Sequence, residues 1–214
     1  MLADLRQGVA ELGIALDEPA LQRLLDYLAL LGKWNRVYNL TAIRDEERMV
    51  THHLLDSLAV LPHLPPGALL DVGSGGGMPG IPIAIAQPAR PVTVLDSNQK
   101  KGAFLKQAVM ELELKNVQVA VERIEDHRPV RPYEIVISRA FSDLADFVAL
   151  AGHCVAAGGR LAAMKGMRPD DEIRHLPPDW IVERSLSLAV PQLDAARHLV
   201  FLQRRGDAAG SAAA

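Results

Sequence analysis

The sequence predicts an α/β fold: a mainly parallel seven-stranded sheet with one antiparallel strand, preceded by a helical extension. Three observations predict it. Short apolar runs at 68–72, 92–96, 117–121, 134–138 and 160–164 alternate with helix-like stretches, notably 99–114 and 143–155. Short buried strands separated by helices imply a parallel sheet covered on both faces. Two further runs, 180–190 and 198–204, succeed each other without a helix, so their hairpin brings one antiparallel strand into the sheet. The first 60 residues, by contrast, carry a helical period.

In that leading segment Leu21, Leu24, Leu25, Leu28 and Leu31 recur at three- and four-residue spacing and share a helix face. Asp17 or Glu18 before Pro19 supplies the start signal, and Gly32 marks the expected end. Residues 34–41 read as irregular, and a second helix is expected over 45–61, closed by Pro62 and Pro65-Pro66. The chain therefore divides into a helical extension (1–66), an α/β core (67–205) and a tail expected to be disordered (206–214).

Composition narrows the function classes. A net charge of −3 argues against a protein that coats nucleic acid, though not against a local basic patch. Cys154 is the sole cysteine, which excludes a disulfide framework and a thiolate metal cluster. The N-terminus lacks the basic start and long apolar run of a signal peptide, and the apolar stretch 81–86 is too short to span a membrane. These features lead us to expect a cytoplasmic protein, and because no strong apolar helical stripe is left unassigned, a monomer is expected.

The richest motif is Asp71-Val72-Gly73-Ser74-Gly75-Gly76-Gly77-Met78-Pro79-Gly80, between the first strand and a helix that Pro79 is placed to open. Glycines there let the backbone turn sharply and approach a ligand. Gly75, Gly77 and Gly80 match the dinucleotide spacing, which would suggest NAD. Asp71 argues against it: a carboxylate beside the loop repels a pyrophosphate but pairs with an ammonium. S-adenosyl-L-methionine carries an ammonium and a sulfonium and no phosphate. Asp96, followed by Ser97, ends the second strand where an acid accepts hydrogen bonds from ribose hydroxyls. After the third strand, Ile124 is placed to cover an adenine, and Glu125 or Asp126 to meet its exocyclic amine. Each of these residues has an alternative as turn or cap; their recurrence at three successive strand ends favours a ligand site.

The fourth strand ends in Ser138-Arg139-Ala140-Phe141. It lacks the Asn/Asp-Pro-Pro-aromatic sequence of amine methylation, and Cys154 lies in an apolar stretch as a small core residue, not a nucleophile. A ring nitrogen such as guanine N7 has a free lone pair and needs no general base, only alignment and electrostatics. Candidate RNA contacts are Arg139, Lys165, Arg197 and His198, with Arg36 and His53 behind them. Phe141 is a stacking candidate, although a lone Phe after a strand more often belongs to the core. His52 and His53 have no accompanying cluster that would make a metal site.

Taken together, the motifs resemble the RsmG family, also called GidB, of bacterial 16S ribosomal RNA guanine-N7 methyltransferases. The resemblance rests on Trp34-Asn35, Asn39-Leu40-Thr41, His53 with Leu55-Asp56-Ser57-Leu58, Asp71 to Gly75, Pro79-Gly80-Ile81-Pro82 and Leu95-Asp96-Ser97. It continues through Lys100-Lys101, Phe104-Leu105, Ser138 to Phe141, Met164-Lys165-Gly166 and Arg197-His198-Leu199-Val200. Gly76, Gly77 and Met78 depart modestly from the family pattern. The resemblance implies a Rossmann-like class I methyltransferase fold and S-adenosyl-L-methionine as methyl donor. It also implies methylation at N7 of guanine-527, in the 530 loop of 16S RNA, within the assembled 30S subunit. By position Gly73, Met78, Asp96, Ile124, Glu125 and Arg139 would line the cofactor. Three other expectations compete with this one: an NAD oxidoreductase, a methyltransferase with another acceptor, and a noncatalytic sensor or ribosome-assembly factor.

Overall fold

A computed structural model describes residues 1–207, the side chains at 46 and 47 excepted. Seven strands form one sheet in the order β3-β2-β1-β4-β5-β7-β6. They are β1 (Leu69–Val72), β2 (Val92–Leu95), β3 (Val117–Ala120), β4 (Tyr133–Ser138), β5 (Val155–Lys165), β6 (Trp180–Ser187) and β7 (His198–Arg204). The first five pair in parallel, and β7 runs antiparallel between β5 and β6. The chain order reverses at β1, between β2 and β4, and open parallel sheets bind ligands at the carboxyl ends beside such a point.

The fifth strand is longer than expected. It starts at Val155, with a register irregularity against Tyr133 and Ile135, and the helix before it, α7 (Leu144–Ala151), stops four residues short of the expected end. Cys154 accordingly lies in a 3₁₀ turn, fully buried, where burial raises its thiol to about 11. It is a core residue, as expected, though not on a helix.

The helical extension holds α1 (Leu2–Glu11) and α2 (Glu18–Tyr38). Asp17 caps α2 by accepting from the Ala20 amide, with Pro19 in the first turn. The helix does not end at Gly32. It continues to Tyr38 because Trp34 packs on Tyr38 and Phe104, with ring centroids 5.3 and 5.7 Å apart, and Asn39 closes it at a left-handed φ of 50°. Tertiary packing thus makes helix of most of the segment that reads as irregular. The second expected helix exists but is broken: α3 (Glu46–Met49), a π-helical turn (Val50–Leu55) and α4 (Asp56–Leu58), then a 3₁₀ turn (Leu61–His63) at the prolines.

One sheet face and the extension share a core in which Leu24, Leu28 and Leu31 of α2 join Ile81 and Ile83 of α5 (Gly80–Ala86) and Phe104 and Leu105 of α6 (Gln99–Glu111). The other face packs Leu70, Val136 and Leu161 against Phe147 and Val148 of α7. Of the expected tail, Asp207 is anchored by accepting from the Gly158 amide at 3.0 Å, and 208–214 lie outside the described residues.

Candidate functional site

The carboxyl ends of β1, β2 and β4 surround two clefts that share Gly73 and Ala140. The first, of about 340 Å³, is lined by Val72, Leu95, Asp96, Ser97, Ile124, Glu125 and Phe141 among others. The second, of about 190 Å³, lies between Leu40, Thr41, the loop residues 73–76, Met78 and Arg139. Gly73 has a φ of +70°, and a Cβ on it would come within 2.7 Å of the Ala140 methyl. Glycine therefore keeps open the passage that joins the clefts. A ligand with an apolar-walled ring at one end and a polar chain at the other would lie across both.

Asp71 is fully buried beneath this loop and borders neither cleft. Its Oδ2 accepts from the Gly80 amide at 2.8 Å, at the opening of α5. A Cβ on Gly80 would sit 2.8 Å from that oxygen, so glycine lets the helix come so close to the strand. The expected pairing with a ligand ammonium is corrected here: a carboxylate under the loop cannot reach a ligand above it. The objection to a pyrophosphate gains a firmer basis, because the first amide of α5 is already occupied by an anion. Burial raises the Asp71 carboxyl to about 6, and its Oδ1 has no hydrogen-bond partner. Pro79 precedes α5 at the cap position, one residue outside its expected place.

Asp96 is 6% exposed on the first cleft; its Oδ2 accepts from Gly75 N and its Oδ1 from Asn98 N, each at 2.9 Å. Lys101 Nζ stands 3.6 Å from Oδ2. The carboxylate therefore ties the glycine loop to the start of α6 and retains lone pairs for further donors. Ile124 is buried at the cleft wall, and Phe141 stacks on Phe147 at 4.8 Å while facing the same cleft. The Glu125 carboxylate takes a hydrogen bond from Arg123 at 2.8 Å, which holds its pKa low. Ser97 is exposed at the rim. Asp126 does not border the cleft.

Beyond the glycine loop Arg139 donates through Nη1 to Asp56 Oδ2 at 2.9 Å, with Nη2 3.8 Å from Met78 Sδ. Arg197 Nε donates to Asp56 Oδ1 at 2.7 Å. Both guanidiniums border a third cleft of about 350 Å³ with Met164, Lys165 and Gly166. His198 begins β7 opposite Lys165 at the same sheet end, its Nδ1 3.4 Å from Gly166 O.

Two expected RNA contacts are corrected. His53 is 4% exposed, sharing a hydrogen bond of 2.9 Å through Nε2 with Thr41 Oγ1, so it supports the second cleft from behind. Burial, then the nearby Arg139 charge, lowers its pKa to about 4, and it is neutral at physiological pH. Lys165 Nζ donates to Phe141 O, Ser142 O and Glu172 Oε2 at 3.1, 2.9 and 2.6 Å. An ammonium has three protons, and all are engaged within the protein.

Three residues escaped the sequence reading as site candidates. Tyr27 donates its hydroxyl to the Gly76 carbonyl. Asn35 pins the loop after α2, accepting from Thr41 N at 2.9 Å and donating to Ile43 O at 3.4 Å. Asp56 joins the two arginines. Asn35 and Asp56 stand in the stretches that carry the family resemblance, but nothing in their spacing announces a role. Among the described residues no group of His, Cys, Asp and Glu forms a metal site, and no helix is long and apolar enough to cross a membrane.

Fold and clefts together define a Rossmann-like methyltransferase. The architecture is similar to the O-methyltransferase TomG of Streptomyces achromogenes, solved in complex with SAM, at 14% identity over 89% of this chain and 91% of that one, TM-score 0.56. It is also similar to the glycopeptide N-methyltransferase MtfA, at 13% identity over 75% of this chain and 100% of that one, TM-score 0.60. Residues 20–200 match the model of the GidB family, rRNA small subunit methyltransferase G, and the chain belongs to that family. Two relatives bear the name ribosomal RNA small subunit methyltransferase G. That of Laribacter hongkongensis is 55% identical over 94% of this chain and 98% of its own length. That of Nitrosospira multiformis is 54% identical over 94% and 97%.

Proposed function

We propose that this chain transfers a methyl group from S-adenosyl-L-methionine to N7 of guanine-527 in the 530 loop of 16S ribosomal RNA, with the assembled 30S subunit as its substrate. The supporting observation is the pair of clefts joined across Gly73 and Ala140, with Asp96 in one and Arg139 in the other. The residues fit this cofactor. Asp96 keeps acceptor capacity for ribose hydroxyls, Ile124 and Phe141 make an apolar slot for adenine, and Glu125 and Ser97 stand at its rim. Gly73, Gly75 and Met78 border the second cleft, where the amino-acid half would lie along the half-buried loop backbone. The bound cofactor would supply an electrophilic methyl that the lone pair of a ring nitrogen takes by direct in-line displacement.

The protein's part is then alignment and electrostatics. Arg139 is the one ionisable side chain among the described residues lining the second cleft, and a guanidinium remains protonated, so it is no base. It is placed to hold the acceptor strand beside the methyl group. Arg197 extends that cationic edge toward the RNA backbone, and His198 adds a hydrogen-bonding ring beside it. Asp71, His53 and Lys165 act behind this surface as supports.

The test is transfer of label from S-adenosyl-L-methionine to small subunits lacking the modification, followed by chemical cleavage at N7-methylguanosine. Label at one guanine of the 530 loop is the expected result. Label elsewhere would overturn the acceptor, and binding of S-adenosylhomocysteine without any transfer would favour a noncatalytic sensor.

A further inference from the structure

Asp56 offers one carboxylate to two cations that come from distant parts of the chain. Arg139 lies just after β4 and Arg197 just before β7, 83 and 141 residues away from Asp56 in sequence. Each oxygen takes a different arginine, and the Asp56 side chain is 4% exposed. The arginines keep 27% and 24% of their side chains exposed, on the cleft they share with Gly166.

We infer that Asp56 is a positioning residue for the methyl transfer: its single buried carboxylate sets the angle of both guanidiniums so that together they grip a phosphodiester of the acceptor strand. The inference rests on the proposed RNA methylation and adds to it the residue that orders the RNA contacts.

Charge favours a grip over a simple tie between the extension and the core. One anion between two cations leaves a surplus positive charge at a half-open site, and a structural pair would need only one arginine. Lys165 does not enlarge the surplus, because Glu172 neutralises it at 2.6 Å. Donors remain as well. Among the described residues, beyond the Asp56 bonds, Arg197 gives only Nη1 to the Ala196 carbonyl, while Arg139 also gives Nη1 to the His52 carbonyl at 3.5 Å and sets Nη2 against the Met78 sulfur. A planar guanidinium with free N–H groups and a fixed plane is suited to phosphate.

Arg139 also borders the second cleft, so its angle bears on where the acceptor meets the methyl group. The chain arranges Asp56 for this through the π-helical turn immediately before it. The extra residue of a π turn rotates the residues C-terminal to it by roughly 100° relative to a continuous α-helix, and such turns recur at functional sites.

The experiment uses the full chain with Asp56→Asn and Arg197→Lys, which preserve size and arginine-side charge respectively. Readouts are kcat and KM on unmodified small subunits, their salt dependence, S-adenosylhomocysteine affinity and Tm. Asp56→Asn is expected to raise KM for the subunit about tenfold with S-adenosylhomocysteine affinity within about twofold of wild type, the range expected for one charge-assisted contact. The salt slope should not shrink, because both cations remain. Arg197→Lys keeps the charge but loses the fork, and should likewise raise KM at an unchanged slope; it carries the test if Asp56→Asn does not fold. An unchanged or lower KM in the folded Asp56→Asn variant, or wild-type behaviour of Arg197→Lys, would overturn the positioning role. If the wild-type chain labels no subunit RNA, the proposed RNA methylation fails first and the inference falls with it.

Discussion

The hydroxyl of Tyr27, in the middle of α2, donates to the carbonyl of Gly76 in the glycine loop. The helical extension therefore holds the glycine loop directly as well as packing on the core. Tyr27 is fully buried, and burial raises its phenol far above the usual range, so it stays a donor at any working pH. Tyr27→Phe leaves a buried carbonyl without its partner, at a cost of about 1–3 kcal/mol. We expect a lower Tm and weaker S-adenosylhomocysteine binding, read by thermal unfolding and calorimetry. Wild-type values in both would show that the extension does not hold the loop.

Two buried groups give stability opposite pH dependences. The His53 pKa falls from 6.5 to about 4 on folding, so its contribution is complete above pH 6.5 and is lost as pH drops toward 4. The Asp71 pKa rises from 3.8 to about 6, so its contribution is complete below pH 3.8 and is lost as pH climbs through 6. The two nearly cancel in wild type, and single variants should expose them. From about pH 4 to about pH 6.5 the Tm of wild type minus that of His53→Gln should grow by on the order of 5 °C, and the difference for Asp71→Asn should shrink similarly. Parallel curves would mean that neither shift exists.

The opposite fates of Asp71 and Asp96 show what the sequence could reveal. Asp71 stands one residue before the end of β1 and Asp96 directly after β2, and the alternation of strands and helices suffices to place both near the carboxyl edge beside a glycine loop. Which acid faces the cleft depends on how closely α5 approaches the sheet, a matter of packing that the local pattern does not encode. Period and strand alternation likewise made the sheet and the antiparallel strand legible. The continuation of α2 past Gly32 was hidden because Trp34 and Phe104, seventy residues apart, decide it. The π turn that aims His53 and Asp56 was hidden because its apolar period is almost that of an α-helix.

Lys165 separates a tether from a phosphate contact. Its ammonium joins β5 to the Phe141-Ser142 turn and to Glu172, and Phe141 borders the first cleft, where adenine is proposed to bind. Lys165→Met should lower Tm and weaken S-adenosylhomocysteine binding a few-fold while leaving the salt slope of RNA binding unchanged. A slope smaller by about 0.7–0.9, the signature of one lost phosphate neutralisation, would restore the direct contact.

Asp96 carries two loads that one substitution can separate. Its oxygens hold the amides of Gly75 and Asn98, and the same carboxylate is proposed to accept from the ribose. Asparagine offers one oxygen where two are needed, so Asp96→Asn turns an NH₂ group toward a donor and loosens the loop as well as losing charge. The variant should bind S-adenosylhomocysteine about 10–100-fold more weakly, the range expected when charge-assisted hydrogen bonds worth about 1.5–3 kcal/mol are removed. Loop and ribose are distinguished by repeating the titration with a ligand lacking the ribose hydroxyls. If Asp96 binds the ribose, wild type should lose affinity for that ligand and Asp96→Asn should lose little more, because the two changes remove the same contact. Equal losses in both proteins would leave Asp96 as a loop anchor and move the ribose contact to another residue of the rim.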